Sequence, residues 1–186
     1  MKRFFDFLLS LTAIVLLAPI FVAISFLIKI TSSGPILFWS NRVGKNNDIF
    51  LMPKFRSMKT NSPVMPTHLI YDAQSYLTPV GSFLRKFSLD ELPQLWSILM
   101  GDMSFVGPRP ALYNQDDLIA LRNKYGVQKL LPGLTGWAQI NGRDMLTVAD
   151  KVEYEVEYLR RRSFWFDLKI IYLTIALVFL RSDISH

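Results

Sequence analysis

The sequence predicts an α+β fold that is mostly helical, with a re-entrant N-terminal membrane helix and a cytoplasmic domain that carries a small β-hairpin and interfacial amphipathic helices. Three observations lead to this fold. An uncharged apolar run dominates the first 31 residues, residues 36–58 read as two short extended runs around a turn, and most of the remainder has helical spacing. The turn "SSGP" separates a membrane segment, 1–31, from a domain, 32–186.

The membrane segment contains the run from Phe7 to Ile28, in which no side chain is charged. As a helix it would be roughly 33 Å long, just enough to cross a bilayer. Pro19 lies near its middle and removes a backbone donor, so we expect a kink there. Basic residues lie on both sides of the run, and positive flanks stay in the cytoplasm. A helix that breaks at Pro19, enters one leaflet and returns keeps both basic ends on the cytoplasmic side. The alternatives are a spanning anchor with a mild kink and a cleaved signal peptide.

The domain is expected to consist of short elements separated by turns. They are a hairpin turn at Gly44–Asn47, a surface loop over 60–79, a helix ending near Gly101, a helix from about Ala111 to Tyr125, and a loop with short extended pieces over 130–144.

One further helical region is expected from about Val148 to Phe179. Its second half is strongly apolar but contains Asp167 and Lys169, which disfavour a spanning helix. An amphipathic helix at the membrane surface, with Trp165 near the headgroups, fits this pattern. A buried core helix fits it equally well.

Composition narrows the possible partners. The formal net charge is +6, which favours anionic partners such as phosphates, nucleotides or lipid headgroups. The chain has no cysteine, which excludes disulfides, thiolate metal sites and a cysteine nucleophile. The apolar membrane segment argues against a nucleic-acid-binding protein. The oligomeric state is left open, a homo-oligomer included.

The stretch "RKFSLDELPQLW" places two carboxylates, Asp90 and Glu91, side by side in this basic chain. Ser88 and Glu91 have the spacing of a helix capping box, which would give the acids a structural role. Pro93 argues for a helix that begins nearer the proline. In either case the acids lie near a helix N-terminus, where the ionised form is favoured. An ionised carboxylate can act as a nucleophile or as a ligand of Mg²⁺.

Basic residues elsewhere could share a phosphate target with this pair. Lys54 and Arg56 are two residues apart on an extended run, Arg85 precedes the acids, and Arg109 is fixed between two prolines. Each of them, taken alone, is also compatible with a solvated surface charge.

Taken together, these blocks resemble the small monotopic phosphoglycosyl transferases, bacterial enzymes also called initiating sugar transferases. The resemblance covers nearly the whole chain, through "RVGKNNDIFLMPKFRSM", "TPVGSFLRKFSLDELPQLWSILMGDMSFVGPRP", "PGLTGWAQINGR" and "YEVEYLRRRSFWFDLKIIYLT". It implies transfer of a sugar 1-phosphate from a UDP-sugar to a polyprenol phosphate, such as undecaprenyl phosphate, at the cytoplasmic leaflet of the bacterial inner membrane. It also implies a ping-pong mechanism, release of UMP, and a role in surface glycan assembly.

The resemblance also assigns roles to residues. Asp90 is expected to be the nucleophile that forms a covalent phosphosugar intermediate, with Glu91 as its partner in Mg²⁺ binding or proton handling. Four basic residues are expected to hold the phosphates: Lys54, Arg56, Arg85 and Arg109. Three residues in and just before the sequence "NGR" are expected to contact the sugar or the nucleotide: Gln139, Asn141 and Arg143.

Three positions depart from the usual family pattern. Pro53 stands where a tyrosine is common, Asn47 replaces a common glycine, and Glu155 stands where an aspartate is usual. Asparagine tolerates left-handed backbone conformations, so we expect the turn at Asn47 to be kept.

A non-enzymatic alternative is a membrane-surface adaptor that holds anionic lipid on its basic patches. No motif indicates which sugar is carried.

Overall fold

The fold of the chain was obtained as a computed structural model, which describes residues 2–62, 72–142 and 145–182. Its α-helices are α1 (Lys2–Thr31), α2 (Gly81–Lys86), α3 (Gln94–Met100), α4 (Asp116–Tyr125), α5 (Trp137–Ile140), α6 (Val148–Arg161) and α7 (Phe164–Ser182). Its strands are β1 (Leu37–Val43), β2 (Ile49–Phe55), β3 (Ser104–Val106), β4 (Ala111–Leu112) and β5 (Gly133–Thr135). The predicted α+β, mostly helical class is confirmed.

Helix α1 is continuous through Pro19, so the predicted break in the helix is not observed. It is long and apolar enough to cross a membrane. On one face of its middle, side chains such as Leu16 and Val22 are exposed. At its N-terminus, Lys2 forms an ion pair with Asp167 of α7 at 2.7 Å and donates to the Val106 carbonyl at 2.9 Å. The membrane helix is therefore tied to the domain by charged groups as well as by packing.

The predicted hairpin is confirmed by the antiparallel pairing of β1 with β2. The chain reverses through a tight turn at Lys45–Asn47, in which Asn46 and Asn47 have φ angles of 56° and 68°. Asparagine adopts this left-handed region more readily than most residues, so the expected tolerance at Asn47 is confirmed. Strand β4 joins the other edge of β1 and completes the three-stranded sheet β2-β1-β4.

Two helix predictions were wrong. Residues 111–112 pair with β1, so α4 begins at Asp116 and not near Ala111. The expected helical region over 148–179 is two helices, because Ser163 begins a new one and its Oγ accepts from the Phe166 amide at 3.2 Å. A serine in that position satisfies an unpaired amide of the first turn.

The core consists of three adjoining clusters. Most of it lies among β3, α4, α6 and α7, where Tyr158 and Ile170 are buried. One smaller cluster packs the C-terminal part of α1 against the hairpin and α2, and the other packs the middle of α1 against the hairpin and α3. Helix α7 has one face in the core, with Phe166 and Ile170, and one face on which Trp165 and Tyr172 are more than 70% exposed. Its position at the membrane surface stays a prediction.

Candidate active site

The acid pair lies in a one-turn 3₁₀ helix, Leu89–Glu91, directly before α3. Ser88 has a left-handed backbone with φ of 55°, and its side chain makes no capping hydrogen bond. The capping-box interpretation is therefore wrong, while the start of the helix next to Pro93 is confirmed. The tight turn buries both acids, leaving Asp90 7% and Glu91 8% exposed.

Glu91 is held by two of the predicted basic residues. Its Oε1 accepts from Lys54 Nζ and from Arg109 Nη2, each at 2.7 Å. Burial raises the pKa of the Glu91 carboxyl, but Arg109 and Lys54 outweigh it and hold the pKa well below its usual range. Glu91 is thus a buried anion that orders two cations.

Asp90 has a different environment, although it is the next residue. Burial raises the pKa of its carboxyl, Lys54 lowers it, and the negative charge of Glu91 raises it further. Within the described ranges, no residue donates a hydrogen bond to this carboxylate. Arg85 and Arg109 also act on it through their charge. A buried carboxylate close to cations, with no hydrogen bond from a described residue, is available to a ligand.

Arg42 of β1 belongs to the same group of charges and was missed in the sequence. Burial and the nearby charge of Arg109 lower the pKa of its guanidinium to about 10. Its Nη1 donates to the Pro110 carbonyl at 3.2 Å. The signal available was strand alternation, which places Arg42 on the same face as the buried Ser40.

Three glycines determine where Arg109 lies. Strands β3 and β5 are parallel, and the chain leaves β3 into "GPRP". A Cβ on Gly107 would come within 2.3 Å of the Leu131 carbonyl oxygen, one on Gly133 within 2.1 Å of the Gly107 nitrogen, and one on Gly136 within 2.1 Å of the Gly107 oxygen. Backbones approach this closely only without side chains, so these glycines fix the path of the chain into Arg109.

Two other predicted site residues lie elsewhere. Arg56 is 4% exposed, and its Nη2 donates to the carbonyl and hydroxyl oxygens of Ser32, after the end of α1. Asn141 is exposed and donates to the Trp137 carbonyl. The structure therefore brings together Lys54, Arg109 and the acids, but it directs Arg56 towards the membrane helix.

Both side-chain amide atoms of Gln139 are buried and have no hydrogen-bond partner among the described residues, so they could bind a polar group of a ligand. Arg143 lies outside the described residues.

The oxygen atoms of the acid pair fit the Mg²⁺ ion that the resemblance implies. Among the described residues, no hydrogen bond is donated to the Asp90 carboxylate, and the one to Glu91 Oε2 is a long contact of 3.5 Å from Arg109 Nη1. The described residues include no group of three or more acidic or histidine side chains that could hold a metal ion. An ion here would share its coordination with water and substrate phosphate, as Mg²⁺ usually does.

We expect Glu91→Gln to lower the free energy of unfolding by about 3–5 kcal/mol at neutral pH, because it leaves Lys54 and Arg109 without their buried counter-charge. The folded pKa of Glu91 is below the unfolded value. The stabilisation is therefore fully present above an unfolded pKa of about 4.3 and is lost as pH falls through the folded pKa. Chemical denaturation in detergent at several pH values measures this. Glu153→Gln, at an exposed position, is the control. An equal loss of unfolding free energy in both variants would show that Glu91 is not the buried counter-charge of Lys54 and Arg109.

Fold and site together define a class: a membrane-associated α+β domain in which a buried acid pair lies among cations suited to a phosphorylated substrate. The chain matches the family model for bacterial sugar transferases over residues 1–181 and belongs to that family. This finding confirms the resemblance noted in the sequence.

Curated relatives show the same relationship. The chain is 41% identical to the UDP-glucose:undecaprenyl-phosphate glucose-1-phosphate transferase of Escherichia coli (strain K12), over 94% of the chain and 39% of that protein. It is 37% identical to the UDP-N-acetylgalactosamine-undecaprenyl-phosphate N-acetylgalactosaminephosphotransferase of Aeromonas hydrophila, over 95% of the chain and 43% of that protein.

A third relative is similar in length. The chain is 38% identical to the uncharacterized sugar transferase EpsL of Bacillus subtilis (strain 168), over 100% of the chain and 91% of that protein. The chain thus spans about two fifths of the first two relatives and about nine tenths of the third.

Proposed function

We propose that the chain transfers a sugar 1-phosphate from a UDP-sugar to a polyprenol phosphate and releases UMP. The observation that carries this proposal is the buried Asp90 carboxylate, which accepts no described hydrogen bond and lies beside cations ordered by Glu91. The names of the Escherichia coli and Aeromonas hydrophila relatives support undecaprenyl phosphate as the acceptor. Because those names contain different sugars, they do not select one for this chain.

The charge of the site suits a diphosphate. Lys54, Arg109, Arg42 and Arg85 all act on one or both acids through their charge. Among the described residues these four cations outnumber the two carboxylates, which favours an anionic ligand such as a diphosphate. The adaptor alternative is less well supported, because the matched family and the named relatives are sugar transferases.

The proposed reaction has two displacements at phosphorus. An Asp90 oxygen attacks the phosphorus that carries the sugar, the bond from this phosphorus to the bridging oxygen of the diphosphate breaks, and UMP leaves with that oxygen. An oxygen of the polyprenol phosphate then attacks the same phosphorus. The bond to Asp90 breaks, the carboxylate is regenerated, and a polyprenyl diphosphate sugar results.

The cations act on charge that develops during both steps. Lys54 and Arg109 would bind the non-bridging oxygens of the transferring group, while Glu91 keeps both side chains oriented towards it. Bound Mg²⁺, held by Asp90 and Glu91, would neutralise phosphate charge.

The proposal is tested by UMP release from a panel of UDP-sugars, with and without undecaprenyl phosphate. The purified chain in detergent should release UMP in many turnovers only when one suitable donor and the lipid phosphate are both present. Absence of turnover with every donor, in a folded preparation, would reject the proposed activity.

We further propose that both ends of α1 lie on the cytoplasmic face of the inner membrane, with the active site on the same side. At one end Lys2 and Asp6 contact the strand segment 105–106, and at the other Ile28 packs among Phe55 and Leu84. A straight 30-residue helix is roughly 45 Å long, so one domain that reaches both ends favours a helix that does not separate them across a bilayer.

Labelling tests this topology, since the chain has no native cysteine. Single cysteines introduced at position 1 and at Ser33 should both react only with reagent supplied from the cytoplasmic side. Reaction of the two positions from opposite sides would establish a spanning helix instead.

A further inference from the structure

The segment that presents Arg109 is held at almost every main-chain carbonyl. Lys2 Nζ donates to the Val106 oxygen at 2.9 Å, and the Gly133 amide donates to the Pro108 oxygen at 2.8 Å. Arg122 Nη2 donates to the Arg109 oxygen at 2.9 Å. The donors come from α1, β5 and α4, so distant parts of the chain converge on one five-residue segment.

Arg122 is in turn held by Glu155 of α6. Arg122 Nε donates to Glu155 Oε2 at 2.8 Å, and Nη2 donates to Glu155 Oε1 at 2.5 Å. This two-point pairing fixes the plane of the guanidinium, which a single contact would leave free to rotate. Both side chains are buried, with Arg122 7% and Glu155 2% exposed.

A buried ion pair often contributes little to the free energy of unfolding. Removing two charges from water costs several kcal/mol per ion, and apolar residues of similar volume often replace such pairs without loss of stability. The arrangement here has another consequence, because Arg122 also satisfies a main-chain carbonyl of a residue that contacts Glu91. Rotation of the peptide at Arg109 would move its guanidinium away from the acid pair.

We propose that Arg122 and Glu155 are positioning residues for the transfer reaction, which hold the Arg109 peptide so that the Arg109 guanidinium faces Glu91 and the substrate phosphate. This inference rests on the proposed function in one respect, namely that Arg109 binds phosphate. Glu155 would act on the substrate indirectly, through Arg122 and then Arg109. The pair acts through Arg109 and touches neither substrate nor reacting atoms.

A double-mutant cycle tests the proposal through kcat/KM. The double variant Arg122→Met/Glu155→Leu replaces the pair by apolar residues, which avoids leaving one charge buried alone. We expect kcat/KM to fall by about tenfold to a hundredfold, because small misplacements of a binding group have effects of this size. In a chain that already carries Arg109→Ala, the same replacement should change kcat/KM by less than about threefold. An equal loss in both backgrounds would overturn the proposal.

Leu118→Ala is the matched control. Leu118 is on α4 one turn before Arg122, it is 3% exposed, and it belongs to the same core. A purely structural disturbance of α4 should reduce kcat/KM by the same factor with or without Arg109. The control therefore separates loss of packing from loss of positioning.

Amide hydrogen exchange provides a readout that does not need turnover. In Arg122→Met/Glu155→Leu, exchange should accelerate in the peptide covering 107–112 and stay unchanged in α1, α3 and the hairpin. If the native chain releases no UMP with any donor, the proposed function fails, and this pattern still decides whether the pair holds the Arg109 segment. Unchanged exchange over 107–112, or acceleration across the whole domain, would overturn the positioning role.

Discussion

Asp90→Asn is expected to reduce kcat for UMP release by at least about 10³-fold while leaving the fold intact. The amide has nearly the shape of the carboxylate, but its oxygen is a far weaker nucleophile, so the covalent step is lost. Among the described residues no hydrogen bond uses this carboxylate, although it interacts with Lys54 through its charge, so we expect the loss of activity to exceed the loss of stability. Steady-state UMP release and a thermal unfolding curve of the same preparation measure the two effects separately.

Asp102→Asn is the matched control, because Asp102 is an exposed aspartate just after the C-terminal end of α3, whereas Asp90 lies just before its N-terminal end. It should alter kcat by less than about twofold. The native enzyme should also lose activity on the acid side at a higher pH than an ordinary aspartate would cause, because burial raises the pKa of Asp90. Turnover by Asp90→Asn close to the native rate would exclude Asp90 as the nucleophile.

Arg109→Ala is expected to reduce kcat/KM by about 10²–10³-fold, the usual effect of removing one pre-positioned donor to developing charge. Arg109→Lys should recover only part of this loss, because it restores the charge but not the planar, two-point donor geometry. Initial rates at several UDP-sugar concentrations give kcat and KM separately for each variant.

Lys124→Ala provides the comparison for Arg109, since it removes an exposed cation from the end of α4. It should change kcat/KM by less than about twofold. If Arg109→Ala and Lys124→Ala had similar effects, Arg109 would contribute only to the general positive charge of the protein.

Local sequence signals predicted the features that depend on neighbouring residues. The hairpin follows from two extended runs and asparagines that accept a left-handed turn. The end of α3 follows from Gly101, which has a φ of 103°. The acid pair was found because two adjacent carboxylates before a proline are conspicuous in a basic chain.

Features that depend on distant contacts were not predictable in this way. Strand β4 has two residues and exists because it pairs with β1, which no local pattern could show. Arg42 and Arg56 both resemble surface cations in the sequence, yet one enters the charged site and the other packs against Ser32. The ion pair between Arg122 and Glu155 joins positions 33 residues apart.

The same limitation explains the error in the last helical region. Its apolar and charged residues continue the helical spacing across the junction, so periodicity alone gave one helix. Ser163 was the available signal, because serine is a preferred N-cap residue and Asp167 supplies an acid in the first turn of the helix. The turn allows α6 and α7 to fold against each other, and Tyr158 donates to Asp167 at 2.7 Å across it.

The central claim, a covalent phosphosugar on Asp90, is tested most directly by mass spectrometry after incubation with the UDP-sugar in the absence of lipid phosphate. We expect one equivalent of UMP to form and one sugar phosphate to be attached to the peptide containing Asp90. The adduct should disappear when undecaprenyl phosphate is added, and it should never form in Asp90→Asn. UMP that forms only when the lipid phosphate is present, with no adduct on any peptide, would contradict the covalent mechanism.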